Sequence, residues 1–95
     1  MTPEGKIKAK VRKKLNALSH RYIFMPVQNG MGAPSLDYLC CVDGLFVAIE
    51  TKAPGGKMTP RQEQTAKAIR DANGLVFMVD GEDALHYMMV ELCRL

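Results

Sequence analysis

Two acids and a lysine stand at the ends of runs that are otherwise apolar. Asp37 lies at the head of the run Leu36 to Val42, and Glu50 and Lys52 interrupt the run Leu45 to Ala53. Between the runs sits Asp43-Gly44, a strong short-range signal for a hairpin with a two-residue turn. In that register Val42 pairs with Leu45, and Asp37 falls opposite Glu50 with Cβ atoms roughly 4.5–5.5 Å apart. Lys52, two residues beyond Glu50, projects from the same face. Facing carboxylates repel unless a cation or a shared proton relieves them, and a divalent metal bound through oxygen is the natural relief. The plainer alternative makes Asp37 a turn residue and Glu50 with Lys52 an ion pair on a solvated rim. Against it, the charges follow directly on Val47-Ala48-Ile49, the most buried-looking part of the strand, and buried charge needs a partner.

The elements that must position these residues follow from local pattern. Thr2-Pro3 is a helix start, with a hydroxyl at the N-cap and proline at the first helical position. Ile7, Val11, Leu15 and Leu18 continue it as one apolar stripe, which predicts a helix over 3–18. Tyr22 to Val27 is β-prone but carries Pro26, as suits an edge strand or a strand end. Gln28 to Ser35, with Gly30, Gly32 and Pro34, reads as a loop. Thr59-Pro60-Arg61-Gln62 has the spacing of a capping box and opens a helix that Asn73-Gly74 stops. That helix has a small core face of Ala66, Ile69 and Ala72. Leu75 to Val79 is continuously apolar, as expected of a buried central strand. Residues 82–93 carry Ala84, Leu85, Met88, Met89 and Leu92 at helical spacing. The predicted class is α/β, in the order α-β-β-β-α-β-α, with a mixed central sheet flanked by helices.

Ninety-five residues make a single domain over 1–95, and 24% charged with 47% hydrophobic residues is a globular composition. No apolar run reaches the roughly 18 residues that cross a bilayer, so membrane insertion and secretion are not expected. Three cysteines, two of them adjacent (Cys40 and Cys41), do not make a disulfide framework, and an intracellular setting fits. Cys40, Cys41 and Cys93 with His20 and His86 lack the paired spacing of a zinc site. Cys40 and Cys41 read as small core residues on opposite faces of a strand.

Charge is segregated. Residues 1–25 hold seven of the thirteen Lys and Arg residues (Lys6, Lys8, Lys10, Arg12, Lys13, Lys14 and Arg21) and one acid, Glu4. Such a basic segment is the footprint of a polyanion partner, or equally the solvated face of a helix.

Asp37, twelve intervening residues, and then Glu50-Thr51-Lys52 resembles the active-site pattern of the PD-(D/E)xK nuclease superfamily. More narrowly, the chain resembles the virus-type replication-repair nuclease (VRR-NUC) domain in its minimal stand-alone phage form. Glu4 on the first helix, the Gly30 to Pro34 loop, Asp37, the Glu50-Thr51-Lys52 strand and Gln62 at the next helix start occupy that family's places in order. The family pattern sets a proline beside the aspartate; here Ser35 and Leu36 separate Pro34 from Asp37, the sole acid at that loop-to-strand junction. The resemblance implies a restriction-endonuclease-like core and hydrolysis of DNA phosphodiester bonds. It implies that Asp37, Glu50, the Thr51 carbonyl and Glu4 hold Mg²⁺ or Mn²⁺, and that Asp37, Glu50, Lys52 and Gln62 are catalytic. Glu4 has the alternative of simply favouring a helix N-terminus, and Gln62 that of capping its own helix. The sequence does not name the preferred DNA structure; selectivity for branched or junction DNA is implied only by analogy with related nucleases.

Phosphate contacts are expected from Lys6, Lys8, Lys10, Arg12, Lys13, Lys14 and Arg21. A homodimer or larger assembly is expected, because the C-terminal helix, with Leu85, Met88, Met89 and Leu92 plus Tyr87, has more apolar surface than one sheet face requires. The competing function is a non-catalytic nucleic-acid-binding module that grips phosphates with the basic first helix.

Overall fold

The computed structural model describes residues 1–27 and 34–95; the Gly30 and Gly32 part of the expected loop lies outside them. Helix α1 spans Pro3–Asn16, and the Thr2 hydroxyl at its N-cap accepts the Gly5 N–H at 3.0 Å. Ile7, Val11 and Leu15 are its buried stripe. The helix stops two residues short of Leu18, which still packs on the core from the following turn. Strand β1 (Arg21–Phe24) ends before Pro26, at the sheet edge, as proline there predicts.

Strands β2 (Tyr38–Val42) and β3 (Leu45–Thr51) form the expected hairpin, with Val42 opposite Leu45 and Tyr38 opposite Ile49. Asp43 and Gly44 carry φ of 49° and 82°. Positive φ at both turn residues is the mirror-image turn whose twist matches paired strands. Helix α2 (Pro60–Asp71) begins in a complete capping box between Thr59 and Gln62. Its stop is carried by Asn73, at φ 70°, with the Gly74 N–H returning to the Ile69 carbonyl. Strand β4 (Leu75–Val79) then pairs parallel with β3, and helix α3 (Glu82–Cys93) closes the described chain.

The sheet order is β1-β2-β3-β4, so β4 is an edge strand and not the buried central one predicted from its composition. A continuous apolar run marks burial on both faces, and β4 is only half-buried except at Val79. Its apolar residues serve α3 on one face and α2 on the other. The interior strands are β2 and β3, and β3 is buried from Val47 to Thr51 while Leu45 and Phe46 are exposed.

The two faces carry separate cores. Ile7, Val11 and Leu15 of α1 and Leu85, Met88 and Leu92 of α3 pack on Tyr38, Cys40, Val47 and Ile49. Ala66 of α2 packs on Leu36 and Ala48, with Ile69 half-buried beside them. Ala72, expected in that core face, is exposed, because α2 is already ending there. Cys41, read as a core residue, is also exposed. It pairs with Tyr22 and Phe46, both exposed, in one cross-strand row. Among the described residues no helix is long and apolar enough to cross a membrane.

Candidate active site

The hairpin register brings Asp37, one residue before β2, level with Glu50 near the end of β3. The Asp37 main-chain N–H donates to Glu50 Oε1 at 3.2 Å. One position further along, the Thr51 N–H and hydroxyl donate to Asp37 Oδ2 at 3.0 and 2.6 Å. The two acids are therefore latched reciprocally, each carboxylate holding donors from the other strand. This arrangement eases the repulsion that two facing carboxylates would feel, because each has hydrogen bonds to its charged form.

Glu50 is 3% exposed. Its Oε2 accepts from Gln62 Nε2 at 3.1 Å and lies 3.4 Å from Lys52 Nζ. Burial holds its carboxyl above the usual range, and the Asp37 charge pushes the same way; Lys52 and the Asp37 N–H pull against them. Lys52 sits just past β3, where its N–H donates to the Val79 carbonyl of β4 at 3.0 Å. That bond to the neighbouring parallel strand fixes the backbone from which the ammonium returns to Glu50.

Gln62 does two things at once. Its Oε1 accepts the Thr59 N–H at 3.0 Å and completes the capping box, while its Nε2 reaches Glu50. The cap and the site contact are the two ends of one amide. A helix start locked by its own first turn presents that amide group in a fixed direction.

The first helix contributes an unexpected member. Lys8 Nζ lies 3.6 Å from Asp37 Oδ1, and the Lys8 carbonyl accepts the hydroxyl of buried Tyr38 at 3.3 Å. Burial, ahead of the other influences, raises the Tyr38 phenol above its usual range, so the phenol keeps its proton to donate. The charge count grouped Lys8 with the surface lysines. Its position between Ile7 and Val11, at the margin of the buried stripe, was the available signal that it turns inward.

Glu4 is exposed in the first turn of α1, and among the described residues no cluster of three or more metal-type ligands forms. It stands one helical turn from Lys8, on the same face. The structure thus brings together Asp37, Glu50, Thr51, Lys52 and Gln62, adds Lys8 and Tyr38, and leaves Glu4 outside that hydrogen-bonded set.

The remaining basic residues, Lys6, Lys10, Arg12, Lys13, Lys14 and Arg21, are exposed. Lys10 is held by Glu82 at the start of α3, and its hydrogen bond, with its charge second, draws the Glu82 carboxyl below the usual range. Lys6 and Lys10 line a cavity of about 270 Å³ with Pro54, Gly81 and Leu85. Arg12 turns toward the Met25 sulfur.

The donor set fits a small hard cation. Asp37 and Glu50 supply carboxylate oxygens and Thr51 a main-chain carbonyl. Mg²⁺ is commonly held by one or two carboxylates and keeps several waters, so a third acid is not required. The thiols are poor competitors: burial pushes Cys40 up to about 11, and Cys41 and Cys93 lie apart from the acids on the exposed surface.

No protein-family model matches the chain, and no curated protein matches it in sequence. A solved structure described as a VRR_NUC domain is similar with a TM-score of 0.78 at 20% identity, covering 94% of this chain and 96% of that one. In architecture, this chain has the VRR_NUC fold.

Proposed function

We propose that this protein is a Mg²⁺- or Mn²⁺-dependent endonuclease acting on DNA. One observation carries the proposal: a buried carboxylate, Glu50, is latched to a second, Asp37, with Lys52 at 3.4 Å and an amide from α2 at 3.1 Å. Buried ionic groups of this kind are expensive to maintain and cluster where chemistry is done. The fold it shares with a VRR_NUC domain supports the same conclusion by analogy.

Asp37, Glu50 and the Thr51 carbonyl would hold the cation. When bound, such a cation supplies activation of a water and stabilises charge on the scissile phosphate. The chain's own groups do the rest. Thr51 fixes the Asp37 carboxylate through Oδ2, and Gln62 fixes that of Glu50 through Oε2. Lys52 places an ammonium where an attacking water or a phosphate oxygen gathers negative charge, and that charge is worth most in a water-poor site. The exposed lysines and arginines of α1 and β1 hold the DNA backbone without reading its sequence.

The substrate proposed is duplex DNA, with branched or junction forms preferred. Two copies of the chain are proposed to act together, because a single 95-residue domain covers little of a branched substrate. Leu85, Met88 and Leu92 are taken up by the core of the chain itself, so the apolar surface proposed for contact between the copies is that of exposed Tyr87 and Val90 on α3. Incubation with supercoiled plasmid and with a four-way junction, in Mg²⁺ and in EDTA, tests the activity. Cleavage in Mg²⁺ alone supports it. Binding without cleavage, weakening steeply between roughly 50 and 200 mM salt, would leave a non-catalytic nucleic-acid-binding module instead.

A further inference from the structure

The two ammonium groups of the site are held differently. The Lys52 side chain is 16% exposed and rests on the nearly inaccessible Glu50. The Lys8 side chain is 35% exposed, and its 3.6 Å approach to Asp37 Oδ1 is too long for a good hydrogen bond. Its root, however, is fixed, because the Tyr38 hydroxyl anchors the Lys8 carbonyl at 3.3 Å. A pinned backbone with a loosely held ammonium describes a charge that can leave without disturbing the helix.

Asp37 divides its oxygens in a matching way. Oδ2 is committed to the two Thr51 donors, whereas Oδ1 faces only the Lys8 charge among the described residues. Oδ1 is therefore the oxygen free to ligate. Two carboxylates and two ammonium groups leave this cluster near neutrality. A divalent cation added to it creates a positive excess, which drives the nearer movable ammonium away and favours the arrival of phosphate.

We propose that Lys8 is a movable counter-charge of the metal site, holding Asp37 Oδ1 in the metal-free protein and yielding it to the cation to meet a phosphate oxygen of the DNA. This rests on the nuclease reading above. It gives α1 a direct part in coupling cation and substrate: a phosphate that engages Lys8 vacates Oδ1, so DNA and metal each strengthen the other's binding.

The test is Mn²⁺ titration by calorimetry of the wild-type chain, Lys8→Met and Lys13→Met, without DNA. Lys13 carries the same charge about 7.5 Å further along α1 and on another side of it. Lys8→Met is expected to bind Mn²⁺ roughly two- to fivefold more tightly than wild type, with Lys13→Met unchanged. A merely structural role for Lys8 predicts the opposite sign, because damage to the site weakens the metal. A hydrolysis-resistant phosphorothioate duplex should tighten Mn²⁺ binding in wild type, and by less in Lys8→Met. If Lys8→Met melts below the assay temperature, Lys8→Gln serves for the same titration. Equal or weaker Mn²⁺ binding by the folded variant overturns the counter-charge and leaves the nuclease reading standing. Absence of Mn²⁺ binding by the wild type overturns both.

Discussion

Gln62 reaches Glu50 across 3.1 Å with the same amide whose oxygen caps helix α2. The stability of the helix and the orientation of the buried carboxylate are thereby tied to one side chain. Gln62→Ala is expected to lose about 1 kcal/mol of stability through the cap, measured by urea unfolding, and to lower DNA cleavage at least tenfold. Gln62→Glu retains the oxygen that accepts the Thr59 N–H but replaces the donor with a charge facing Glu50. It should keep the cap and still lose cleavage. Full cleavage in Gln62→Glu would show that the amide serves the helix alone.

The Glu50 carboxyl is raised above its usual range in the folded chain, first by burial and then by Asp37. The sign for stability follows. At low pH Glu50 is protonated in both states and contributes nothing. As pH rises from the ordinary glutamate value to the raised one, the unfolded chain ionises first and the folded state loses stability; above the raised value the loss is complete. Urea midpoints measured in EDTA should therefore show a falling contribution through that window in wild type. The contribution should be absent in Glu50→Gln. Identical pH slopes for the two proteins would refute it.

Gly44 sits at φ 82° with nothing within 4 Å of the position its Cβ would occupy. Gly44→Ala therefore strains only the backbone of the turn, and is expected to destabilise by about 1 kcal/mol. Inserting a residue between Asp43 and Gly44 acts differently. It threatens the register that sets Asp37 level with Glu50, so cleavage should fall far more than stability. Thermal melts and cleavage rates of the two variants, taken together, separate strain from register.

Cys40 is buried, with its thiol pushed up to about 11, whereas Cys41 and Cys93 are exposed. A maleimide at neutral pH should label Cys41 and Cys93 quickly and Cys40 only on unfolding. Rapid labelling of all three in the folded protein would contradict the packing of β2 against α1.

Much of this arrangement was legible because local chemistry and tertiary structure agree. Asp43-Gly44 set the turn, the turn set the register, and the register placed Asp37 by Glu50 without reference to any relative. Thr59 and Gln62 marked a helix start to the residue. What escaped was information that depends on neighbours distant in the chain. Leu75 to Val79 is apolar enough for a central strand, yet only the crossover through α2 decides that it lies at the edge. Cys41 alternates correctly with Cys40, but whether its face is covered depends on what the rest of the chain packs against the sheet. Lys8 and Asp37 are separated by 29 positions; the stripe beside Lys8 signals that it turns inward, but nothing local names the acid it meets. Glu4 and Lys8 share one helix face, and the chain's packing, not its composition, chose which of them meets Asp37.

The most direct test is cleavage of plasmid DNA by the wild-type chain, Glu50→Gln and Lys52→Ala, with Mn²⁺ binding measured on each protein. Wild type is expected to bind the cation and cleave only in its presence. Glu50→Gln should remain folded, bind the cation weakly and lose cleavage by roughly a hundredfold or more, and Lys52→Ala should bind it and still fail to cleave. Undiminished cleavage by either variant, or by wild type in EDTA, would contradict a metal-dependent site built on Asp37, Glu50 and Lys52.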